Sequence, residues 1–183
     1  MQDEIKFLAP AKVNLFLKVY NKRKDGYHNI RTGITFVNLY DEINVKIKGK
    51  TSINYFGKFS RKDNYAKDCI IKKTLNLLNL DKKINLEITI EKNIPVQAGL
   101  GAASSNAAAF LKALDKLNII KVDEINQDLT IIGADVPVCY YGQNALVTGI
   151  GENIIKQTYP KYFFLLVKPR VNFSTQDLFN KVK

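Results

Sequence analysis

The segment 94–110 places the tightest constraint on what this chain can fold into. Its sequence, IPVQAGLGAASSNAAAF, joins an apolar strand to an alanine-rich helix through a turn of small residues. Gly99 and Gly101 permit a positive φ and the close approach of a ligand. Residues 102–105 open the helix with short side chains, so that its free backbone N–H groups and the positive end of its dipole face one anion. The segment therefore predicts a phosphate-binding loop.

Two common phosphate-binding motifs do not fit this segment. No lysine follows the second glycine, as a Walker loop requires, and Pro95 interrupts the path from strand to glycines that a dinucleotide-binding turn would take. A dinucleotide site would also need a strand ending in Asp or Glu next, whereas the next predicted element is another helix. The spacing alone also allows another interpretation, in which the small residues serve tight helix packing and do not bind phosphate.

The rest of the chain predicts an α+β fold, because strands cluster before helices instead of alternating with them one for one. Apolar residues at strand spacing predict strands over 13–19, 34–39, 43–47, 53–56, 84–90, 144–148 and 162–168. Helical spacing predicts helices over 63–80 (with Asp63 as the N-cap), 104–117 and 123–133, and a capping-box-like sequence predicts one more beginning at Ser174.

Three further clusters contain residues suited to chemistry. Asp135 lies in a Gly/Pro-bounded loop after a predicted helix, where a carboxylate is held without being buried and can act as a general base; an ordinary turn residue is the alternative. Lys12, at the predicted entry of a strand, is either a solvated lysine or the cation that keeps such a base ionised. Tyr27 and His28 follow Asp25-Gly26 in a turn that could stack on a base or be a plain hairpin turn.

The net charge of +11 raises the hypothesis of a nucleic-acid partner, since a positive surface attracts phosphate. Of the 28 basic residues, however, 24 are Lys and four are Arg, and Asn and Ile are also abundant. These residues have A/T-rich codons, so a biased genome can raise the charge without selection for a basic site. An RNA-binding module is the less favoured reading, and it predicts lysines and aromatic rings gathered on one face.

Composition also argues against other classes. The longest apolar stretch in the second half, 162–167, is far shorter than the roughly twenty residues that span a bilayer, and residues 1–4 show no secretory signal. Cys69 and Cys139 have no metal-type spacing, and both are expected to be buried thiols of a protein in the reducing cytoplasm. With a single histidine, no metal-ligating residues are predicted.

Taken together and in this order, five motifs resemble the 4-diphosphocytidyl-2-C-methyl-D-erythritol kinases, which belong to the superfamily of galactokinase, homoserine kinase, mevalonate kinase and phosphomevalonate kinase. The motifs are PAKVNLFLKV, DGYHNI, IPVQAGLGAASSNAAA, GADVP and the sequence Gly149-Ile150-Gly151-Glu152. The resemblance implies transfer of phosphate from ATP, with Mg²⁺, to the 2-hydroxyl of a cytidine diphosphate sugar alcohol on the non-mevalonate route to isoprenoids. It also implies a first domain with the fold of ribosomal protein S5 domain 2.

The same resemblance implies roles for individual residues. Asp135 resembles the base that takes the hydroxyl proton, and Lys12 its charge partner at the transferred phosphoryl group. The implied ATP phosphate loop comprises Pro95, Val96, Gln97, Ala98, Gly99, Leu100, Gly101, Ala102, Ala103, Ser104 and Ser105. The residues implied to hold the cytidine substrate are Asn14, Tyr27, His28 and Phe179, with the rings of Tyr27 and Phe179 stacked on cytosine.

Two departures from the family pattern bear on function. Ala102-Ala103 stand where family members usually carry Gly-Gly, and a positive φ at either residue would cost on the order of 1 kcal/mol and weaken phosphate binding. The resemblance divides the chain into an N-terminal ATP-binding domain, 1–157, and the start of a truncated C-terminal domain, 158–183. Because half a cleft positions substrates poorly, a remnant that only binds nucleotide is an alternative to an active kinase.

Overall fold

The computed structural model describes residues 3–60, 69–124 and 129–169, and these form the α+β fold that the sequence predicts. The strands are β1 (Glu4–Lys22), β2 (His28–Ile47), β3 (Ser52–Phe56), β4 (Leu86–Glu91), β5 (Ala145–Gly149) and β6 (Asn153–Lys156). The helices are α1 (Ile70–Leu77), α2 (Ala102–Lys116) and α3 (Val136–Tyr141), with short 3-10 turns at Val122–Glu124 and Leu129–Ile131.

The strands make one sheet organised around the long strand β2. β1 runs antiparallel along one edge of β2, while the other edge of β2 pairs with β4 through residues 42–47 and with β5 through residues 30–34. β3 adds to β4 in parallel, and β6 adds to β5 antiparallel, which gives the order β3-β4-β2-β5-β6 with β1 on β2. One strand thus connects the two halves of the sheet.

Helix α2 lies at the centre of the core and contacts β1, β2, α1 and α3. Its residues Phe110, Leu111 and Leu114 are fully buried, as are Ile43 of β2 and Ile90 of β4. Burying a side chain of this size stabilises the fold by roughly 1.5–3 kcal/mol each. Since α2 is held this firmly, its first turn is a fixed platform at the end of the predicted phosphate loop.

Two of the predicted strand patterns differ from the structure. The segments 34–39 and 43–47 are parts of one continuous strand, β2, and Asp41 lies inside it instead of in a turn. In β1, the register shifts between Asn14 and Phe16, and this bulge breaks the predicted alternation and leaves Leu17 exposed. Sequence periodicity assumes an unbroken pleat, which a bulge does not provide.

The helix predictions are partly wrong. The predicted helix over 104–117 is confirmed as α2, but the described ends of the predicted helix over 123–133 form 3-10 turns. Helix α1 begins at Ile70, where the extended residue Cys69 is the N-cap and accepts a hydrogen bond from the backbone N–H of Lys72. Asp63 and the helix start predicted at Ser174 lie outside the described residues.

The strand predicted over 162–168 is also wrong, since these residues have no regular secondary structure. Phe163 and Leu165 of this segment are exposed. A strand requires hydrogen bonds to a neighbouring strand, and within the described residues it is β6 that pairs with the free edge of β5. Helix α3 was not predicted, although Pro137 at its start is a residue favoured in a first helical turn.

Candidate functional site

Lys12 and Asp135, far apart in the sequence, form an ion pair. The distance between Lys12 Nζ and Asp135 Oδ2 is 2.9 Å, and the two side chains are 8% and 36% exposed. Lys12 does not stand at a strand entry as predicted, because β1 already begins at Glu4. The lysine is therefore a buried cation whose partner carboxylate is accessible from solvent.

The backbone around Asp135 is also held in place, in addition to the ion pair of its side chain with Lys12. Asp135 is the N-cap of α3 and not, as predicted, a loop residue after an α-helix, yet its carboxylate makes no capping hydrogen bond. Lys73 Nζ donates to the carbonyl oxygen of Ile132, three residues before Asp135, at 2.8 Å. On the other side, Gly151 approaches Ala134 so closely that an added Cβ would lie 2.4 Å from the Ala134 carbonyl oxygen. The carboxylate is thus fixed in place while staying free for chemistry.

The predicted phosphate loop has the backbone that its glycines suggest. Gly99 has φ +71° and Gly101 φ +65°, and Gly101 is the N-cap of α2. The first N–H groups of a helix have no partner within it, and no acidic residue occupies the first turn of α2. Ala102 and Ala103 are helical, so the strain expected from their methyl groups does not arise. The loop can therefore receive an anion at the helix N-terminus.

The C-terminal end of the loop is attached directly to β1 beside Lys12. The backbone N–H of Lys12 donates to the carbonyl oxygen of Leu100 at 2.9 Å, and Ser105 Oγ donates to the carbonyl oxygen of Pro10 at 2.7 Å. A Cβ on Gly101 would lie 2.6 Å from Lys12 Cγ. The structure thus brings together three predicted features, the loop, Lys12 and Asp135, with the lysine in contact with both others.

The N-terminal end of the loop is held by a second ion pair, Lys92 with Asp41, which the sequence did not predict. Asp41 is fully buried and Lys92 is 3% exposed. One carboxylate oxygen accepts from Lys92 Nζ, and the other accepts from the backbone N–H groups of Asn93 at 2.7 Å and Ile94 at 2.8 Å. Burial lowers the pKa of the Lys92 ammonium, and the charge of Asp41 opposes this shift.

A signal for this pair is present in the sequence. Leu86, Ile88 and Ile90 alternate as the buried row of β4, and the same period of two continues to Lys92. Lysine is rarely buried unless it is paired, so its place in a buried row indicates a buried acidic partner elsewhere. The sequence pattern does not identify that partner as Asp41.

Comparison with known proteins agrees with this geometry. A family model described as the GHMP kinases N terminal domain matches residues 64–143, which include the phosphate loop and Asp135. The 4-diphosphocytidyl-2-C-methyl-D-erythritol kinase of Francisella tularensis subsp. holarctica is 37% identical over 179 residues, which are 95% of this chain and 64% of the relative. The chain is thus similar to GHMP kinases in its sequence and in the site that the family model covers.

This confirms the family resemblance seen in the sequence. The kinase of the same name from Caldicellulosiruptor bescii is 40% identical over 185 residues, 96% of this chain and 63% of that protein. A crystal structure of 4-(cytidine 5'-diphospho)-2C-methyl-D-erythritol kinase matches with a TM-score of 0.62 and 34% identity, over 85% of this chain and 56% of that one. The homoserine kinase of Cytophaga hutchinsonii, with a TM-score of 0.57 and 21% identity over 98% of this chain and 60% of its own, shares the fold. The chain spans less than two thirds of the length of these relatives.

The residues implied to bind the cytidine substrate are divided between two places. Asn14 Oδ1 accepts a hydrogen bond from Lys12 Nζ at 2.7 Å, so this residue adjoins the ion pair. Tyr27, 58% exposed, and His28 lie at the other end of the same β1–β2 hairpin, where the chain turns. In that turn the backbone N–H of Tyr27 donates to Asp25, which lowers the pKa of the Asp25 carboxyl. Phe179 lies outside the described residues.

Both cysteines are buried, as predicted for Cys69 and Cys139. Burial, reinforced by the charge of Asp135, raises the pKa of the Cys139 thiol to about 12, so this side chain stays protonated near neutral pH. The described parts of the chain contain no group of three or more His, Cys, Asp or Glu side chains placed to hold a metal ion. Among the same residues, no helix has the length and apolar character needed to cross a membrane.

Proposed function

We propose that this chain is the ATP-binding part of a kinase that phosphorylates the 2-hydroxyl of 4-diphosphocytidyl-2-C-methyl-D-erythritol in isoprenoid precursor biosynthesis. The observation that carries the proposal is the contact of Lys12 with both the accessible carboxylate of Asp135 and the phosphate loop at Gly101. The names of the relatives supply the substrate. In this proposal residues 1–157 are the N-terminal domain, 158–183 begin a second domain, and the protein works in the cytoplasm.

The reaction requires a base for a hydroxyl and a clamp for a phosphoryl group. Asp135 accepts the proton of the substrate hydroxyl on the oxygen that does not face Lys12. The hydroxyl oxygen forms a bond to the γ-phosphorus of ATP, while the bond from that phosphorus to the β,γ-bridging oxygen breaks and leaves its electrons on ADP. Lys12 holds Asp135 ionised before the transfer and places positive charge beside the transferred group.

The loop from Pro95 to Ser105 would hold the phosphates of ATP through the free N–H groups at the start of α2. Asn14, Tyr27, His28 and Phe179 are proposed to hold the cytidine substrate. The loop is well suited to its task because both of its ends are attached to the sheet, at Asp41 and at β1. A rigid loop presents its N–H groups in a fixed geometry and loses little conformational entropy on binding.

The site is compatible with Mg²⁺ delivered together with ATP. Magnesium keeps several waters and is usually bound through substrate phosphates and few protein oxygens, so an all-protein cage is not required. A protein oxygen near this place is the hydroxyl of Ser104, which is half-buried in the first turn of α2 and close to Gly133, two residues before Asp135. When bound, the ion would neutralise phosphate charge.

The direct test is an assay of the purified chain with ATP, Mg²⁺ and the cytidine substrate. The matched control is Asp135→Asn, which keeps the shape of the side chain and removes the base. The wild-type rate should exceed the variant rate by about 10²–10⁴-fold. Equal rates would refute kinase activity of this chain, and ATP binding without turnover would support a remnant that only binds nucleotide.

The RNA-binding alternative is tested separately. Affinity for single-stranded RNA should fall steeply between low and physiological salt if lysines neutralise phosphates along the strand. An absence of binding even at low salt would exclude this function.

A further inference from the structure

Behind Lys12, three side chains form a continuous chain of hydrogen bonds that ends on the backbone. Lys12 Nζ donates to Asn14 Oδ1 at 2.7 Å, and Asn14 Nδ2 donates to Thr32 Oγ1 at 2.7 Å. Thr32 Oγ1 in turn donates to the carbonyl oxygen of Phe16 at 2.6 Å. Thr32 lies on β2 and is 2% exposed, so solvent has little access to its hydroxyl.

The direction of each bond follows from the chemistry of the two ends. An ammonium group only donates, so the oxygen of the Asn14 amide must face Lys12 and its nitrogen must face Thr32. The Thr32 hydroxyl then accepts from this nitrogen, and its single proton goes to the Phe16 carbonyl, which only accepts. With the amide flipped, two donors would face each other at Lys12. The chain of bonds therefore permits one orientation of Asn14.

We propose that Thr32 is a positioning residue, which fixes the amide of Asn14 and through it the ammonium group of Lys12. This inference rests on the proposed function and extends it to a residue outside the phosphate loop and the base. Of the three N–H groups of Lys12, one is directed to Asn14 and one to Asp135. The third is then left to meet the transferred phosphoryl group, and the second N–H of the Asn14 amide is left for the substrate.

The bulge in β1 lies at the same place. Asn14 pairs with Ile34 and Phe16 with Gly33, so Leu15 is the additional residue. Bulges bend a strand and redirect its side chains, and they are frequent next to active sites. Here the bulge separates the residue whose amide is oriented, Asn14, from the residue whose carbonyl ends the chain, Phe16.

The first experiment compares kinetics of three variants. Thr32→Val keeps the β-branched shape and removes the hydroxyl, and it should lower kcat about tenfold to a hundredfold, because a small misplacement of a catalytic group has effects of this size. The KM for ATP should change little, since the loop is not touched. Thr32→Ser should restore kcat. Thr35→Val is the matched control, because Thr35 is a buried threonine of the same strand whose hydroxyl donates to Asn144.

A second experiment does not depend on activity. In a ¹⁵N-labelled sample of the full chain, the Asn14 side-chain amide proton directed to Thr32 should exchange slowly with solvent in the wild type, Thr32→Ser and Thr35→Val, and faster in Thr32→Val. If the wild type shows no turnover, the proposed function fails for this chain and amide exchange alone decides the role of Thr32. Unchanged exchange in Thr32→Val, or a Thr32→Ser variant as impaired as Thr32→Val, would overturn the inference.

Should Thr32→Val fail to fold, Thr32→Cys replaces it, since a thiol has nearly the same size and is a much weaker hydrogen-bonding group. It should show faster Asn14 exchange than Thr32→Ser. Equal exchange in the two variants would contradict the proposal.

Discussion

Two Lys–Asp pairs lie at the two ends of the phosphate loop, and they differ in what surrounds the carboxylate. Asp41 is fully buried and receives three hydrogen bonds, from Lys92 and from two backbone N–H groups. Asp135 is 36% exposed, and its carboxylate makes no capping bond to the helix it begins. The same two residue types therefore form a buried pair, Lys92 with Asp41, and a pair whose carboxylate solvent can reach, Lys12 with Asp135. The second is called the open pair.

This difference distinguishes an ion pair that stabilises the fold from one that can take part in a reaction. A fully buried carboxylate whose two oxygens both accept hydrogen bonds is out of reach of a substrate, and removing its partner leaves a charge in a medium that solvates it poorly. An accessible carboxylate on a buried lysine keeps one oxygen free, while the lysine is unable to move away. Only the second arrangement can take up a proton from an incoming hydroxyl.

The largest expected effect is the loss of stability in Lys92→Met. Methionine preserves most of the stem of the side chain, but Asp41 becomes a buried anion without a cation. The free energy of unfolding, measured by urea denaturation, should fall by about 3–5 kcal/mol. The double variant Lys92→Met/Asp41→Leu should recover part of this loss. A decrease below about 1 kcal/mol in the single variant, the size typical of exposed pairs, would remove the distinction between the two sites.

The same substitution at the open pair, Lys12→Met, should act on activity and not on stability. Phosphoryl transfer should fall by about 10²–10³-fold, because a preorganised charge at the transferred group is lost. Unfolding should change by about 1 kcal/mol or less, since solvent reaches Asp135. Steady-state kinetics and urea denaturation of one preparation measure both, and a large loss of stability without loss of rate would reverse the comparison.

Gly101→Ala tests the contact between the loop and Lys12. A residue with a side chain at φ +65° costs about 1–2 kcal/mol, and here its Cβ would also press on the lysine. Gly99→Ala is the matched control, because Gly99 has a similar φ of +71° but open space around the added Cβ. Thermal denaturation should show a greater loss for Gly101→Ala than for Gly99→Ala. Equal losses would mean that the Lys12 side chain can move away from the added methyl group at little cost in free energy.

The smallest expected effect concerns Cys139, a buried titratable group near the open pair. Its pKa is raised in the folded protein from 9.0 to about 12, so its contribution to stability is fully present below pH 9 and is lost as the pH rises towards 12. Between pH 8 and 9.5, the stability of the wild type relative to Cys139→Ala should fall by about 0.8 kcal/mol. A difference that does not vary with pH would show that the thiol ionises as easily in the folded chain as in the unfolded one.

The sequence predicts the α+β fold class, and it also predicts three features that the structure brings together in the candidate site. The loop, Lys12 and Asp135 were recognised because their chemistry depends on short local motifs whose residue types are unusual in that order. The continuity of β2 was missed because Asp41 resembles a turn residue until its partner is known. A buried ion pair depends on two segments that meet only in the folded chain, so local periodicity does not reveal it.

The role of Thr32 was hidden for a related reason. It is one of several threonines on β2, and only the bulge at Leu15 and the chain of donors starting at Lys12 distinguish it from Thr35. The strand prediction over 162–168 is wrong for a different reason. Its apolar residues fit a strand pattern, but no described strand pairs with them. Residue pattern indicates what a segment can become, while hydrogen-bonding partners decide what it does become.

The contact between Lys12 and Asp135 also bears on how the chain folds. The lysine belongs to the first strand, while the aspartate follows nearly all of the core-forming segments. Contacts between residues so remote in sequence form slowly, because the chain entropy of closing the intervening loop opposes them. During synthesis, a nascent chain that already exposes β1, β2 and the phosphate loop has a cation and an anion-binding loop but no base. The candidate site is therefore complete only after the segment that carries Asp135 has packed against β1.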